Sequence, residues 1–406
     1  MLAIRAAGLF DGEAFARGGA TVFVEAGTVV EVGNGHPDVA EDVHVLDFGD
    51  ATLMPGLVDT HVHLVGDSEV GALDRVAGYT GEELATTIAA SLQRQLAAGV
   101  TTVRDLGDRD WVAVEHRDRQ RAQSGGPVSA EPFIVASGPP VTSRRGHCFY
   151  MGGEVEGLAG IGAAVQERAD RGVDIVKVMA SGGMNTAGTD VLGTQFSEEE
   201  LALLVRRSHD LGLPVTAHAH SLSSVEQALS AGVDQLEHCS CLTETGVAVS
   251  DALIETLASR SVFVGAALGA PPAQALAQAP PALRELMERS GATASSFRDL
   301  RLQTVERMHR AGVRFVAGRD SGIAPFLAHG SMWESAVFLR EAGATVAEAL
   351  AAATSLAADA CGVGARKGRL RSGYDADIAV VDGDPRTDLA AVGRVRAVFL
   401  GGRQVP

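Results

Sequence analysis

Cysteine is scarce in this chain and positive charge is in deficit, and both shortages narrow what it can be. Four cysteines in 406 residues are too few for a disulfide framework. Cys148, Cys239, Cys241 and Cys361 also lack the Cys-x-x-Cys spacing of a zinc or redox motif, so they are expected as small core residues. Lys and Arg total 34 against 51 Asp and Glu, a formal net charge of −17, which disfavours nucleic acid or an anionic membrane as partner. No run of about 18 uncharged apolar residues occurs. The start, Met1-Leu2-Ala3-Ile4-Arg5, has neither a long apolar segment nor a cleavage-like site, and a cytoplasmic protein is the expectation. Internal repeats and low-complexity tracts are missing too; only Ala267 to Pro281, rich in Ala and Pro, stands out as a loop or lid.

What is present is a β/α rhythm. At 46% apolar residues the chain can bury a large core, and its length suits one barrel-sized domain plus a smaller one. Helical stretches such as Gly81 to Ala98, Gly160 to Arg171, Ser197 to Leu211 and Ser223 to Ala231 separate short apolar, β-branched runs. Those runs are Leu57–His61, Thr101–Arg104, Phe133–Ala136, Ile175–Met179, Val215–His218, Gln235–His238, Val262–Gly265 and Arg314–Ala317. Eight such units predict an α/β fold, a (β/α)8 TIM barrel with its active site at the C-terminal strand ends. Thr21–Val24, Val29–Val32 and Val43–Leu46 precede it, and Ile378–Val381 and Ala397–Phe399 follow it. Neither end has enough strands for a stable sheet alone. Residues 1–55 and 362–406 are therefore expected to form one composite β-sandwich domain, with 56–361 as the barrel.

His61-Val62-His63 closes the run that begins Met54-Pro55-Gly56-Leu57. Residues two apart on a strand face the same side, so both imidazoles can reach one ion at about 2.0–2.1 Å, the usual zinc–nitrogen distance. Lys177, His218, His238 and Asp320 each close a later run, at the same end of the expected barrel. His220 lies on the same face as His218. Glu237 and His238 are adjacent, so alternation lets only one point inward; His238 is taken as the ligand and Glu237 as its supporting or salt-bridging neighbour.

With these residues in place, the whole chain resembles the amidohydrolase superfamily, whose members carry His-x-His on strand one, Lys on strand four, His on strands five and six and Asp on strand eight. The likeness is closest to its prolidase-like and imidazolonepropionase-like branch, through Lys177-Val178-Met179-Ala180-Ser181-Gly182-Gly183, His218-Ala219-His220, Glu237-His238 and Gly146-His147. The resemblance implies a metal-binding hydrolase, with His61, His63, Lys177, His218, His238 and Asp320 holding one or two Zn2+ or other divalent ions.

An ammonium beside cations cannot ligate, so Lys177 must be neutral or modified. Burial lowers an amine's pKa and leaves a nucleophile able to add carbon dioxide; the resulting carboxylated lysine would bridge a binuclear centre. The competing reading is a lysine paired with Asp320. Asp320 is the expected general base and acid, its alternative a loop-capping role. His220 and His147 are candidates to touch substrate and stabilise an oxyanion, although His220 is equally readable as a histidine satisfied by a carboxylate. Arg144, Arg145 and Tyr150, in the segment after strand three, are candidates for substrate binding, as is Arg319; Arg144 and Arg145 could grip a carboxylate or be plain surface charge.

The expected function is hydrolysis of an amide or peptide-type C–N bond in a small molecule. A dipeptide or N-acyl amino acid comes first, with attack by a metal-activated hydroxide and proton transfer by Asp320. A non-peptide amide, carbamate, urea or cyclic amide is the alternative. A deaminase fits less well because of Lys177, and a non-catalytic binding protein less well because no ligand position is lost. A homo-oligomer is expected.

Overall fold

The computed structural model describes residues 1–122, 130–267, 281–290 and 293–405. The fold is α/β. Its centre is a set of eight parallel strands: Leu57–Val62, Val100–Asp105, Phe133–Ala136, Val176–Met179, Val215–Ser221, Gln235–Thr243, Phe263–Ala267 and Arg314–Gly318, called here the first to eighth. The first three pair in chain order, as do the last five. Ser321 bridges to Val62 beside the first strand, and Val141 bridges to Val178 of the fourth; Val141 N–H donates to Lys177 O at 2.8 Å. Strands of this kind are covered on both faces, so they read as continuous apolar runs rather than alternating ones, and that is why the sequence located all eight to within a few residues.

Helices cover the outside, and their starts are written locally. Thr80 with Glu83, Ser197 with Glu200 and Thr345 with Glu348 form reciprocal capping boxes at the heads of Gly81–Ala97, Glu198–Asp210 and Val346–Ala352, each satisfying amide donors that the helix itself cannot. Gly81–Ala97 then buries Leu84, Ile88, Leu92, Gln95 and Leu96, the three-to-four spacing of one face turned to the strands. Among the described residues no helix is long and apolar enough to cross a membrane. Of the Ala- and Pro-rich segment 267–281, Ala267 ends the seventh strand and Pro281 begins the helix Pro281–Ser290; residues 268–280 lie outside the described residues.

The two chain ends build two sheets over one core. One contains Thr28–Asn34, Ala20–Glu25, Leu2–Ala6 and His44–Asp47; the other contains Gly8–Leu9, Thr52–Pro55, Ile378–Val381, Val395–Leu400 and Arg403–Val405. Ile4, Val22 and Val24 from the first sheet and Leu53, Ile378, Val380 and Phe399 from the second belong to a single buried cluster. The strands Leu2–Ala6, Gly8–Leu9, Thr52–Pro55 and Arg403–Val405 were not legible as separate elements. The run from Met54 reads as one strand but is two: Thr52–Pro55 pairs antiparallel with Ile378–Val381, whereas Leu57–Val62 pairs parallel with Val100–Asp105. Gly56 makes the break, because a Cβ there would lie 2.1 Å from Thr101 Oγ1.

Phe399 is fully buried and meets Phe48 edge-on at 6.1 Å, so it ties a C-terminal strand to the N-terminal segment. Phe399→Ala should destabilise the protein by about 3–5 kcal/mol, read as a lowered midpoint in chemical denaturation with the metal content held constant.

Candidate active site

Two groups of buried ligand-type side chains stand at the C-terminal ends of the strands: His61 with His63 and Asp320, and His218 with His220 and His238. In the first group Asp320 Oδ1 lies 3.4 Å from His61 Nε2 and 3.2 Å from His63 Nε2. The far nitrogens are engaged behind. His63 Nδ1 donates to Gly107 O at 3.0 Å, and His61 Nδ1 faces Glu237 Oε2 at 3.0 Å. Such outer contacts select the tautomer and aim Nε2 at the centre. In the second group His218 and His238 rings meet at 4.6 Å, and His238 and His61 at 5.3 Å, so the groups adjoin.

Lys177 is within electrostatic reach of both groups. It is 1% exposed, and its Nζ has no hydrogen-bond partner among the described residues. Burial lowers its pKa, opposed by Glu237 and Asp320, while its own charge acts on His61, His218 and His238. The expected alternative, a lysine ion-paired with Asp320, is not the arrangement found.

Glu237 corrects a sequence expectation. Both Glu237 and His238 face inward, because His238 has φ +67° and Cys239 φ +43°, and a left-handed residue breaks the strict alternation of a strand. Glu237 accepts from Thr216 Oγ1 at 2.8 Å and from Arg104 Nη2 at 3.0 Å. Burial would raise its pKa, but His61, Arg104 and Lys177 hold it at about 2. Asp320, also left-handed at φ +56°, is likewise pulled well below the usual carboxylate range against its burial, by His61, His63 and Lys177.

His147 is buried, 4.6 Å from the His218 ring, with Nδ1 2.8 Å from Thr186 Oγ1. His220 stacks on His238 at 4.4 Å and pairs through Nδ1 with Ser240 Oγ at 2.9 Å. Burial depresses both histidines to about 3, reinforced by His220 for His147 and by Arg301 for His220. Tyr150, half-buried, donates to Cys148 Sγ at 3.9 Å. Arg144 and Arg145 are exposed, Arg144 3.8 Å from Glu156. Arg319 is buried and donates to Glu334 at 2.6 Å and Phe326 O at 2.8 Å.

Two supporting residues escaped the sequence reading. Asp59 accepts from Ser321 Oγ at 2.8 Å, Gln95 Nε2 at 3.1 Å and the amides of His61 and Arg319, both at 3.2 Å; burial raises it to about 6 in spite of these bonds. Arg104 is the other. A charged residue inside each of two apolar strands was the available signal. Beside the site, a cleft of about 720 Å³ is lined by Leu73, Met184, Thr186, Ile323 and Phe326, among others, and Thr186 joins it to His147.

Buried imidazole and carboxylate donors converge here, with the second nitrogens of His61 and His63 turned to Glu237 and Gly107 O, and such a set suits zinc or a similar divalent ion. This fold and donor set define the class: a metal-dependent hydrolase with its site at the strand ends. The chain belongs to the amidohydrolase family, whose profile matches residues 52–405, and it is a hydrolase acting on C–N bonds. It is 28% identical over 380 residues to ochratoxinase of Aspergillus niger, covering 85% of this chain and 73% of that one. Imidazolonepropionase of Salinispora tropica is 29% identical over 247 residues, 56% of this chain and 59% of the other. Among solved structures, a prolidase complexed with N-methylphosphonate-L-proline superposes with a TM-score of 0.81 at 26% identity, over 100% of this chain and 99% of that one. A Xaa-Pro dipeptidase with bound methionine reaches a TM-score of 0.84 at 23% identity, over 99% of each chain.

Substituting His61 and His63 together by Ala should lower bound metal and abolish turnover. Elemental analysis of the purified variant is the check, and wild-type zinc levels in it would remove these residues from the ligand set.

Proposed function

We propose that this protein is a cytoplasmic, zinc-dependent amidohydrolase that cleaves the C–N bond of a dipeptide or N-acyl amino acid at a binuclear centre. Its fold is read as a closed barrel, residues 56–361, beside a composite β-sandwich from 1–55 and 362–406. The observation that carries the reading is the buried Lys177 Nζ, without a hydrogen-bond partner among the described residues and within electrostatic reach of two groups of ligand-type side chains.

In this reading His61, His63 and Asp320 hold one ion, and His218 and His238 the other. Lys177 would add carbon dioxide at Nζ with loss of a proton, giving an anionic carbamate able to hold such ions where an ammonium would repel them. Such ions, when bound, polarise a carbonyl oxygen and bring the pKa of water toward neutrality. Asp320 turns Oδ1 to His61 and His63; its other oxygen accepts the water proton and returns it to the leaving nitrogen. His147 and His220 are kept neutral by burial. With the hydroxyl of Ser240 donating to its Nδ1, His220 can present Nε2–H to a developing oxyanion; His147 has Nδ1 on Thr186 Oγ1 and Nε2 3.6 Å from Cys148 Sγ, and would need to turn from that sulfur to do the same. Similarity to a prolidase and to ochratoxinase supports a peptide-type substrate.

A second reading, an uncharged amide, carbamate, urea or cyclic amide, draws on the apolar side chains of the cleft, Leu73, Met184, Ile323 and Phe326. Charge separates the two. Under the first reading, amidating a substrate's free carboxylate should cost about 1.5–3 kcal/mol, a roughly ten- to hundredfold loss in kcat/KM; equal turnover of acid and amide by metal-reconstituted enzyme selects the second. Lys177→Ala should reduce turnover by roughly a hundredfold or more, with partial recovery on adding bicarbonate or a short carboxylate. A high-resolution map of metal-loaded protein with an unmodified ammonium at Lys177 would refute the bridge.

A further inference from the structure

Arg301 sits on the helix Ala294–Arg310, which leads from the seventh-strand side to the eighth strand. Its guanidinium reaches the rim of the site, where Nη2 donates to His238 O and Nη1 to Cys239 O, both at 3.3 Å. After burial, it is the strongest influence on the His220 imidazole. It is therefore a fixed cation within electrostatic reach of a proposed substrate-contacting histidine and of the strand end that carries a proposed ligand.

Its lack of a counter-charge sets it apart from the fully buried arginines. The fully buried guanidinium groups of Arg104, Arg117 and Arg319 face Glu237, Asp174 and Glu334 at 3.0, 2.8 and 2.6 Å, as such groups ordinarily must; Arg301 is half-buried and makes no such pair. No carboxylate lies within ion-pair distance of Arg301 among the described residues. Segments 123–129, 268–280 and 291–292 contain no Asp or Glu that could supply one. The two thiols that face it, Cys239 and Cys241, are weak partners. Two of five N–H donors are spent on long carbonyl bonds, which leaves most of a planar fork matched to a carboxylate.

We propose that Arg301 is the specificity-determining residue that binds the substrate's free carboxylate, so that the substrate is an amide whose leaving amine is an α-amino acid. The ligand supplies the charge that the fold omits. This assignment rests on the proposed amidohydrolase reading and deepens it. It replaces the cations expected from sequence: Arg144 and Arg145 are exposed, and Arg319 is held by Glu334.

The test uses metal-loaded wild type, Arg301→Gln and Arg301→Lys, with N-acetyl-L-phenylalanine and its carboxamide as probes in both turnover and calorimetric binding. Zinc content and Tm are recorded for each variant, since Arg301 also braces two carbonyls. Wild type should favour the free acid by roughly ten- to a hundredfold. Arg301→Gln should abolish that ratio, mainly through a KM raised for the free acid; Arg301→Lys should restore part of it. A purely structural role would lower activity on both probes and leave the ratio intact, which overturns the assignment while the amidohydrolase reading survives. If no turnover is seen on either probe, that reading fails for this substrate class and binding decides the assignment: acid-selective affinity lost in Arg301→Gln upholds it. Equal affinity for the two probes in wild type, or no binding of either, overturns it.

Discussion

The buried carboxylate of Glu237 organises the interior of the parallel strands. It sits within the sixth strand with no exposed surface, takes hydrogen bonds from Arg104 on the second strand and Thr216 on the fifth, and faces His61 on the first. Arg104 extends the network by donating to Thr60 O at 2.7 Å and Ala360 O at 3.2 Å. Isolated charges in such a place would be untenable; paired this closely, each is stable only while the others are present. Breaking a buried pair of this kind costs about 3–5 kcal/mol. The same contacts orient His61, so the network that holds the strands in place also sets a ring of the metal-type group.

Strain concentrates at the same level. His238, Cys239, Cys241 and Asp320 all take left-handed backbone angles, which cost non-glycine residues free energy and persist only where surrounding contacts impose them. The surroundings here are specific. Asp59 receives the amide of Arg319, the residue before Asp320, and Ser321 exchanges backbone hydrogen bonds with His61 and His63 at 3.1 and 2.8 Å. Asp320 is thus pinned from both sides, and its carboxylate meets two histidines from the opposite end of the chain.

Charge is distributed unevenly between surface and site. The net charge of −17 resides largely on exposed acids, whereas the interior pairs its arginines with carboxylates one by one. Arg301, half-buried and without a carboxylate partner among the described residues, is a cation that the proposed substrate carboxylate would complete. The neighbouring cleft, lined by apolar side chains together with Asp74, Arg284 and Glu285, offers room for the rest of such a molecule, with Thr186 shared between the cleft and His147.

Buried parallel strands announce themselves as short β-branched runs, and His61, His63, Lys177, His218, His238 and Asp320 could be picked out because each closes such a run. Local chemistry was legible for the same reason: capping boxes, apolar helix faces and i, i+2 histidines depend on neighbours within a few residues. Gly56 shows where that reasoning ends, since its role comes from Thr101 across the sheet. Alternation also predicted that either Glu237 or His238 would point inward, and a single left-handed residue let both do so. The pairing of Thr52–Pro55 with Ile378–Val381, the isolation of Lys177 Nζ and the missing partner of Arg301 join residues tens to hundreds of positions apart, or depend on what is absent around them. The sequence by itself determined which side chains were available and on which strand ends they stood; only the tertiary structure decided which of them meet, because burial, counter-charge and backbone angle are properties of the assembled neighbourhood.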